Sequence, residues 1–280
     1  MVRRFAFLAA VFALAVPAVA QPPAPAAPRF KWEAGKVLSY RVVQQTVVKE
    51  TVLDEKEKPV TSDVRTTLTL VRKWTVKEVD KLGVATLEMS IAEMKQEFRQ
   101  SDGSTTVTDS AKPDDAKTMA AFLNKPIVTV RMDPQGKLVE VKDAKGGAAA
   151  RLHAELPFRL VLPDTAPDAG KAWDRPFAVK LDPPHGTGES YDFTQKYTSK
   201  GTKDGYLIVG VETALKAPPK ATGEQVPLVP MLWTGDVYFN TVAGKYHAAR
   251  LTAKAELANH QGEGTKFVYE SVYSEDALEK

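Results

Sequence analysis

The stretch Thr67-Leu-Thr-Leu-Val-Arg-Lys-Trp-Thr-Val-Lys77 decides the fold class. Its apolar residues Leu68, Leu70, Trp74 and Val76 share one parity, and threonine and lysine fill most of the alternate positions. Successive side chains of a β-strand point to opposite faces, so this alternation is typical of a strand that is buried on one side only. The stretch therefore predicts a half-buried β-strand.

The same alternation recurs along the rest of the chain, in residues 38–52, 191–197, 231–239, 249–257 and 267–273. Between Val84 and Arg99 the apolar phase shifts by one residue, which predicts a β-bulge near Ile91 and Ala92. Bulges bend long strands. We therefore predict a mainly β fold, with a long curved antiparallel sheet that is half-barrel or barrel-like.

Turn and helix signals interrupt the strands. Asp133-Pro-Gln-Gly136 has the residue preferences of a type I turn and predicts a hairpin of residues 127–132 with 137–141. One or two short helices, in residues 113–123 and 144–156, are predicted as a lid or insertion.

The N-terminus predicts export. Arg3 and Arg4 precede an apolar run over residues 5–16, and small residues lead to a predicted cleavage between Ala20 and Gln21. As a helix the run would span about 18 Å, whereas a hydrocarbon core is about 30 Å thick, which disfavours an uncleaved anchor. We expect a periplasmic or extracellular protein without a transmembrane segment in the mature chain.

The predicted organisation has three parts. Residues 1–20 are the signal peptide, residues 21–29 are a Pro/Ala-rich linker, and residues 30–280 are a single β-rich domain. Two subdomains that divide near residues 163–171, a connection rich in proline and glycine, are the alternative.

Composition and motifs exclude several chemistries. The chain has no cysteine, which removes thiol catalysis and thiolate metal sites. The chain has 38 basic and 35 acidic residues, and the loss of Arg3 and Arg4 with the signal peptide brings the two numbers closer together. A mature chain with nearly balanced charge does not predict nucleic-acid binding.

The four histidines do not have metal-ligand spacing; they are His153, His185, His247 and His260. Nucleophile-elbow and phosphate-loop motifs are also missing from the sequence. We predict no catalytic residue, metal or cofactor and favour a non-enzyme, while a hydrolase with dispersed carboxylates stays open.

Large apolar side chains on the inward strand faces are the candidate ligand-binding residues: Trp74, Met89, Met94, Trp233 and Phe239. A half-closed sheet with such a face can hold an apolar ligand. The alternative is that these residues form an ordinary core, because large apolar residues are normally buried.

Residues 127–181 contain, in this order, the hairpin at residues 127–141, a short helix, Leu160-Val-Leu-Pro163 and Gly170-Lys-Ala-Trp173. In this order of elements the stretch resembles an uncharacterised family of exported bacterial proteins, a domain of unknown function, and residues 32–40 resemble that family's opening strand. The resemblance implies an exported β-rich protein and no known activity. More distantly, the chain is similar to the lipoprotein-carrier half-barrels of the cell envelope, which implies a concave apolar face covered by helices.

Two functional hypotheses follow. The first is a non-catalytic envelope protein that binds an apolar small molecule, a lipid or an apolar part of an envelope protein on its concave face. The second is a structural or interaction protein with a filled core, whose function lies on an edge or a loop.

Overall fold

The computed structural model describes residues 26–144, 148–183 and 186–278. The predicted signal peptide, its cleavage site, the first part of the linker and His185 lie outside the described residues. Strands account for 57% of the structure and helices for 9%, and the strands form one antiparallel sheet that does not close. The predicted fold class is confirmed.

The sheet contains twelve strands within the described ranges. They are β1 (Val37–Leu53), β2 (Pro59–Val79), β3 (Ala85–Arg99), β4 (Thr105–Asp109), β5 (Val128–Met132), β6 (Leu138–Ala144), β7 (Ala172–Leu181), β8 (Glu189–Lys203), β9 (Tyr206–Leu215), β10 (Thr234–Asn240), β11 (Lys245–Ala258) and β12 (Lys266–Ala277). Their order across the sheet is β6-β5-β3-β2-β1-β12-β11-β10-β9-β8-β7, and β4 pairs with β3. The edge strands β6 and β7 are consecutive in the chain.

The predicted bulge is present. On the β2–β3 ladder Val71 lies opposite Glu93 and Arg72 lies opposite Ile91, so Ala92 is the extra residue. The bulge restores the inward phase of β3 and increases the local bend of the strand.

The predicted hairpin is also present. The backbone N–H of Gly136 donates to the carbonyl oxygen of Asp133 at 3.0 Å, as a type I turn requires. The Asp133 Oδ1 atom accepts the backbone N–H groups of Gln135 and Lys137 at 2.9 and 2.8 Å, which fixes the turn between β5 and β6.

The helices are shorter than predicted. They are α1 (Pro113–Met119), α2 (Ala148–Glu155) and α3 (Thr222–Gln225), and a 3₁₀-helix (Val226–Met231) follows α3. Ala144 is not helical because it pairs with Val128 at the end of β6. The helix in residues 113–123 ends at Met119, and α1 with its flanking turns fills the gap between β4 and β5 along the edge of β3.

Residues 156–163, called the plug here, follow α2 and are all buried. The Phe158 ring lies 5.5–5.9 Å from five other aromatic rings, those of Phe30, Trp32, Tyr40, Trp74 and Tyr246. Trp173 Nε1 donates to the Val161 carbonyl oxygen at 2.7 Å and anchors the plug to β7. The core therefore lies between the inner face of the curved sheet and a segment of the same chain.

Candidate functional site

Three of the five predicted ligand-binding residues belong to the filled core. Trp74, Trp233 and Phe239 are 1%, 4% and 0% exposed. The Trp74 ring lies 5.7 Å from the Phe158 ring, and the Phe239 ring lies 5.0 Å from the Phe30 ring. The plug and Phe30 thus occupy the part of the concave face that these side chains would offer to a ligand.

The two methionines lie in different places. Met89 pairs with Trp74 on the β2–β3 ladder and is only partly buried. Met94 lies beyond the bulge, opposite Leu70, and lines a separate depression beside Asp109. The structure therefore does not bring the five predicted residues into one site.

An apolar groove of about 230 Å³ remains between the plug, α2 and the inner face of the sheet. Strands β1, β2, β3, β5 and β12 form one wall, and α2 and the start of the plug form the other. Its apolar lining consists of Val42, Leu68, Leu70, Met89, Ile91, Val128, Leu152, Leu156 and Pro157, and its polar lining of Gln44, Arg72, Glu155, Arg159 and Tyr273.

A buried carboxylate lies behind the polar wall of the groove. Glu275 is 0% exposed and forms an ion pair with Arg72. The hydroxyl groups of Tyr246 and Tyr273 each donate to Glu275 Oε2 at 2.8 Å. Three donors thus compensate the burial of one carboxylate, as a buried charge requires.

The sequence contains a signal for this cluster in the phase of its charged residues. Arg72 alternates in phase with Leu70 and Trp74, so it belongs to the apolar face of β2. Glu275 alternates in phase with Tyr273 and belongs to the same face of β12. A charged residue in the inward phase of a strand is rarely left unpaired. Two such residues of opposite sign predict an internal ion pair.

Arg159 is the only charged residue of the plug. Its backbone adopts a φ of 52°, in the left-handed region, and it is 8% exposed. Its guanidinium carbon lies 4.1 Å from the centroid of the Tyr273 ring and 5.4 Å from that of Trp233, and its Nη2 atom donates to Glu155 Oε2 at 3.2 Å.

The surroundings keep both arginines positively charged. Burial opposes the charge of Arg72 and Arg159, but Glu275 beside Arg72, and Tyr273 and Glu155 beside Arg159, outweigh it, so the pKa of each guanidinium is raised. Burial and the neighbouring Glu275 raise the pKa of the Tyr273 hydroxyl to about 12, so it stays a hydrogen-bond donor at neutral pH. The cluster is a set of fixed charges and donors.

The described histidines are dispersed. His260 is 7% exposed, and its Nε2 atom lies 2.8 Å from Glu50 Oε1. His247 lies against the Tyr206 ring. His153 lines a cavity of about 420 Å³ in the gap between β6 and β7. Within the described ranges, histidine and carboxylate side chains form no group of three that could hold a metal ion. In the same ranges, no helix has the length and hydropathy to cross a membrane.

No protein-family model matches the chain, and no curated protein matches it. Among solved structures, the chain is similar to the structure of lipovitellin and its lipid–protein interactions (11% identity, TM-score 0.48). The match covers 89% of this chain and 26% of that one, so this chain spans about a quarter of lipovitellin.

Two bacterial structures are also similar. An outer membrane channel from Pseudomonas putida F1 has 8% identity and a TM-score of 0.28, with 89% of this chain and 97% of that chain covered. A β-barrel-like protein of a domain of unknown function from Brucella abortus has 10% identity and a TM-score of 0.19, with 88% and 100% covered. All three TM-scores are below 0.5, so these similarities assign neither a family nor a ligand to this chain.

Proposed function

We propose that the protein is a non-catalytic binding protein of the cell envelope that holds an apolar, lipid-like group in the groove beside the plug. The groove itself is the observation that supports this function. It joins a wall of partly buried aliphatic side chains, such as Leu70, Met89 and Leu152, to a polar wall formed by Arg72 and Arg159. Ligand sites commonly combine an apolar lining with a few convergent polar groups.

The volume of the groove limits the ligand. Pockets for drug-sized ligands measure about 300–1,000 Å³, whereas this groove measures about 230 Å³. Because the plug fills the rest of the concave face, the groove accommodates one alkyl chain or one apolar side group.

The proposed location follows from the N-terminal sequence. The predicted signal peptide and the resemblance to exported bacterial proteins of unknown function support export to the periplasm or beyond. In that setting residues 30–280 act as one binding unit, and α2 with the plug covers the ligand.

The first test is native mass spectrometry of the protein purified from its own envelope fraction, with extraction of co-purifying lipids. A stoichiometric apolar adduct is the expected result, and its mass identifies the ligand class. A clean unliganded mass, together with no uptake of a neutral fluorescent alkyl probe, would overturn the proposal.

A pair of variants locates the binding. Leu68 lines the groove and is partly exposed, so Leu68→Trp places an indole in the groove and should weaken probe binding at least tenfold. Thr67 is the adjacent residue on the opposite face of β2, and Thr67→Trp should leave probe binding unchanged. Equal effects of the two substitutions would place the ligand elsewhere.

A structural or interaction protein is the second candidate, and the filled core favours it. Edge strand β6 offers unpaired backbone groups and the half-exposed side chain of Val139, which a partner strand could cover. A protein without ligand, whose Val139→Lys variant no longer cross-links to an envelope partner, would favour this function.

A further inference from the structure

We propose that the groove recognises an amphiphile with an anionic headgroup, and that Arg159 binds that headgroup in exchange for Glu155. This inference rests on the proposed function and specifies its ligand: an alkyl chain that ends in a carboxylate or a phosphate. The alkyl chain lies along the aliphatic wall, and the headgroup lies at the plug.

The backbone of Arg159 is the first observation. A left-handed φ in a residue other than glycine is unfavourable, and such residues cluster at functional sites. Arg159 combines this conformation with a nearly buried side chain in an otherwise apolar segment, where an aliphatic residue or a glycine would be the simpler choice. The plug therefore places a guanidinium at the groove at the expense of its own stability.

The charges of the cluster are the second observation. Arg72 and Arg159 face the two carboxylates of Glu155 and Glu275. Glu275 is fully buried and belongs to the core, whereas Glu155 lies at the end of α2 with a side chain that is 25% exposed. A ligand carboxylate or phosphate would take the place of Glu155 on Arg159, because it supplies the same kind of negatively charged acceptor.

Unused hydrogen-bond donors are the third observation. A guanidinium has five N–H donors and binds carboxylate or phosphate groups in a forked geometry. The Nε atom of Arg72 is buried without a hydrogen-bond partner. The Arg159 guanidinium lies over the rings of Tyr273 and Trp233, and its Nη2 atom donates to Glu155, the carboxylate that the ligand headgroup would replace.

The test compares ligands with one alkyl chain and different headgroups. Decanoate, decyl phosphate, decanol and decyltrimethylammonium compete with a neutral fluorescent alkyl probe for the purified exported protein. We expect at least one anion to bind about tenfold or more tightly than decanol, because a hydrogen bond to a charged group contributes about that factor. Preference for decanoate would indicate a fatty acid, and preference for decyl phosphate a phospholipid with a single alkyl chain.

Variants assign this preference to individual residues. Arg159→Met should remove the preference for anions and keep decanol affinity within about twofold, since only a charge-assisted contact is lost. Glu155→Gln should tighten anion binding several-fold because it removes the competing carboxylate. Arg65→Met, on the exposed part of β2, should match the wild type.

A backbone-compatible variant covers the case in which Arg159→Met does not fold. Glycine readily adopts the left-handed φ of residue 159, so Arg159→Gly removes the guanidinium without added backbone strain. Equal binding of all four ligands, or an anion preference that survives both Arg159 variants, would overturn the inference while the proposed function stands. Binding of none of the ligands would instead overturn the proposed function.

Discussion

Replacement of Glu275 by leucine should destabilise the protein strongly. Glu275 is fully buried, pairs with Arg72 and accepts hydrogen bonds from the hydroxyl groups of Tyr246 and Tyr273. Removal of one member of a buried ion pair leaves the other charge without compensation, which costs about 3–5 kcal/mol. Each tyrosine hydroxyl that loses its acceptor adds to this cost, by up to about 1–3 kcal/mol if it stays buried and unpaired.

The partner substitution tests the physical reason. In Arg72→Met/Glu275→Leu both charges are replaced by apolar groups, and such replacements are often neutral in stability. The double variant should therefore recover at least about 2 kcal/mol of the loss caused by Glu275→Leu alone. Part of the loss should remain, because the two tyrosine hydroxyls still lack their acceptor.

Urea unfolding at neutral pH measures these differences, provided that the dependence on urea concentration is the same for all variants. The neighbouring pair of Arg250 and Asp276 supplies the control, because each of its side chains is 50% exposed. Asp276→Leu should cost at most about 1 kcal/mol. A loss below about 1 kcal/mol for Glu275→Leu, or a double variant no more stable than the single one, would refute the argument from buried charge.

Two further perturbations test the plug and the tyrosines. Gly136 and Gly103 both have a φ of +84°. A Cβ atom at residue 136 would lie 2.6 Å from a ring carbon of Phe30 and 2.7 Å from the carbonyl oxygen of Leu160 in the plug. A Cβ atom at residue 103 would have no other atom within 4 Å. Gly136→Ala should therefore lower the free energy of unfolding by about 1–3 kcal/mol more than Gly103→Ala, as measured by urea unfolding. Equal losses for the two variants would contradict the close approach of the plug to the hairpin. The pKa of Tyr273 is raised from 10.0 to about 12. As the pH rises, the unfolded state therefore releases the tyrosine proton before the folded state does. The contribution of the Tyr273 hydroxyl to stability is complete below pH 10 and falls as the pH rises through 12. Tyr273→Phe should remove about 2–3 kcal/mol of that alkaline loss, and an unchanged pH profile of the unfolding free energy would show that the hydroxyl is not buried.

The fold was predictable because its signals are local. Alternation in the stretch Thr67 to Lys77 and its counterparts predicted β1, β2, β3, β8, β10, β11 and β12. The one-residue phase shift predicted the bulge at Ala92, and Asp133 to Gly136 predicted the hairpin of β5 and β6. The strands β4 and β9 were not predicted. The helix limits were less accurate, because Ala144 has a helical sequence context and is held in β6 by its pairing with Val128. Pairing across the sheet outweighed local propensity there.

The candidate site was only partly predictable. Trp74, Trp233 and Phe239 were expected to face inwards, and they do, but the plug and Phe30 cover them. Periodicity shows which face of a strand is buried and does not show what covers that face, which can be a ligand, a second sheet or a segment of the same chain. Of the predicted residues, Met89 lines the groove.

The sequence by itself determined the mainly β character of the chain, the curvature of its antiparallel sheet and its lack of thiol chemistry, since each depends on residue types and their spacing. The tertiary structure decided that Arg72 and Glu275, 203 residues apart, form one ion pair, and that Arg159 stacks beside them on Tyr273. Inward parity predicts that a charged residue is buried, but its partner depends on which strands become neighbours. That order, with β12 beside β1, is set by long-range pairing and by the packing of the plug.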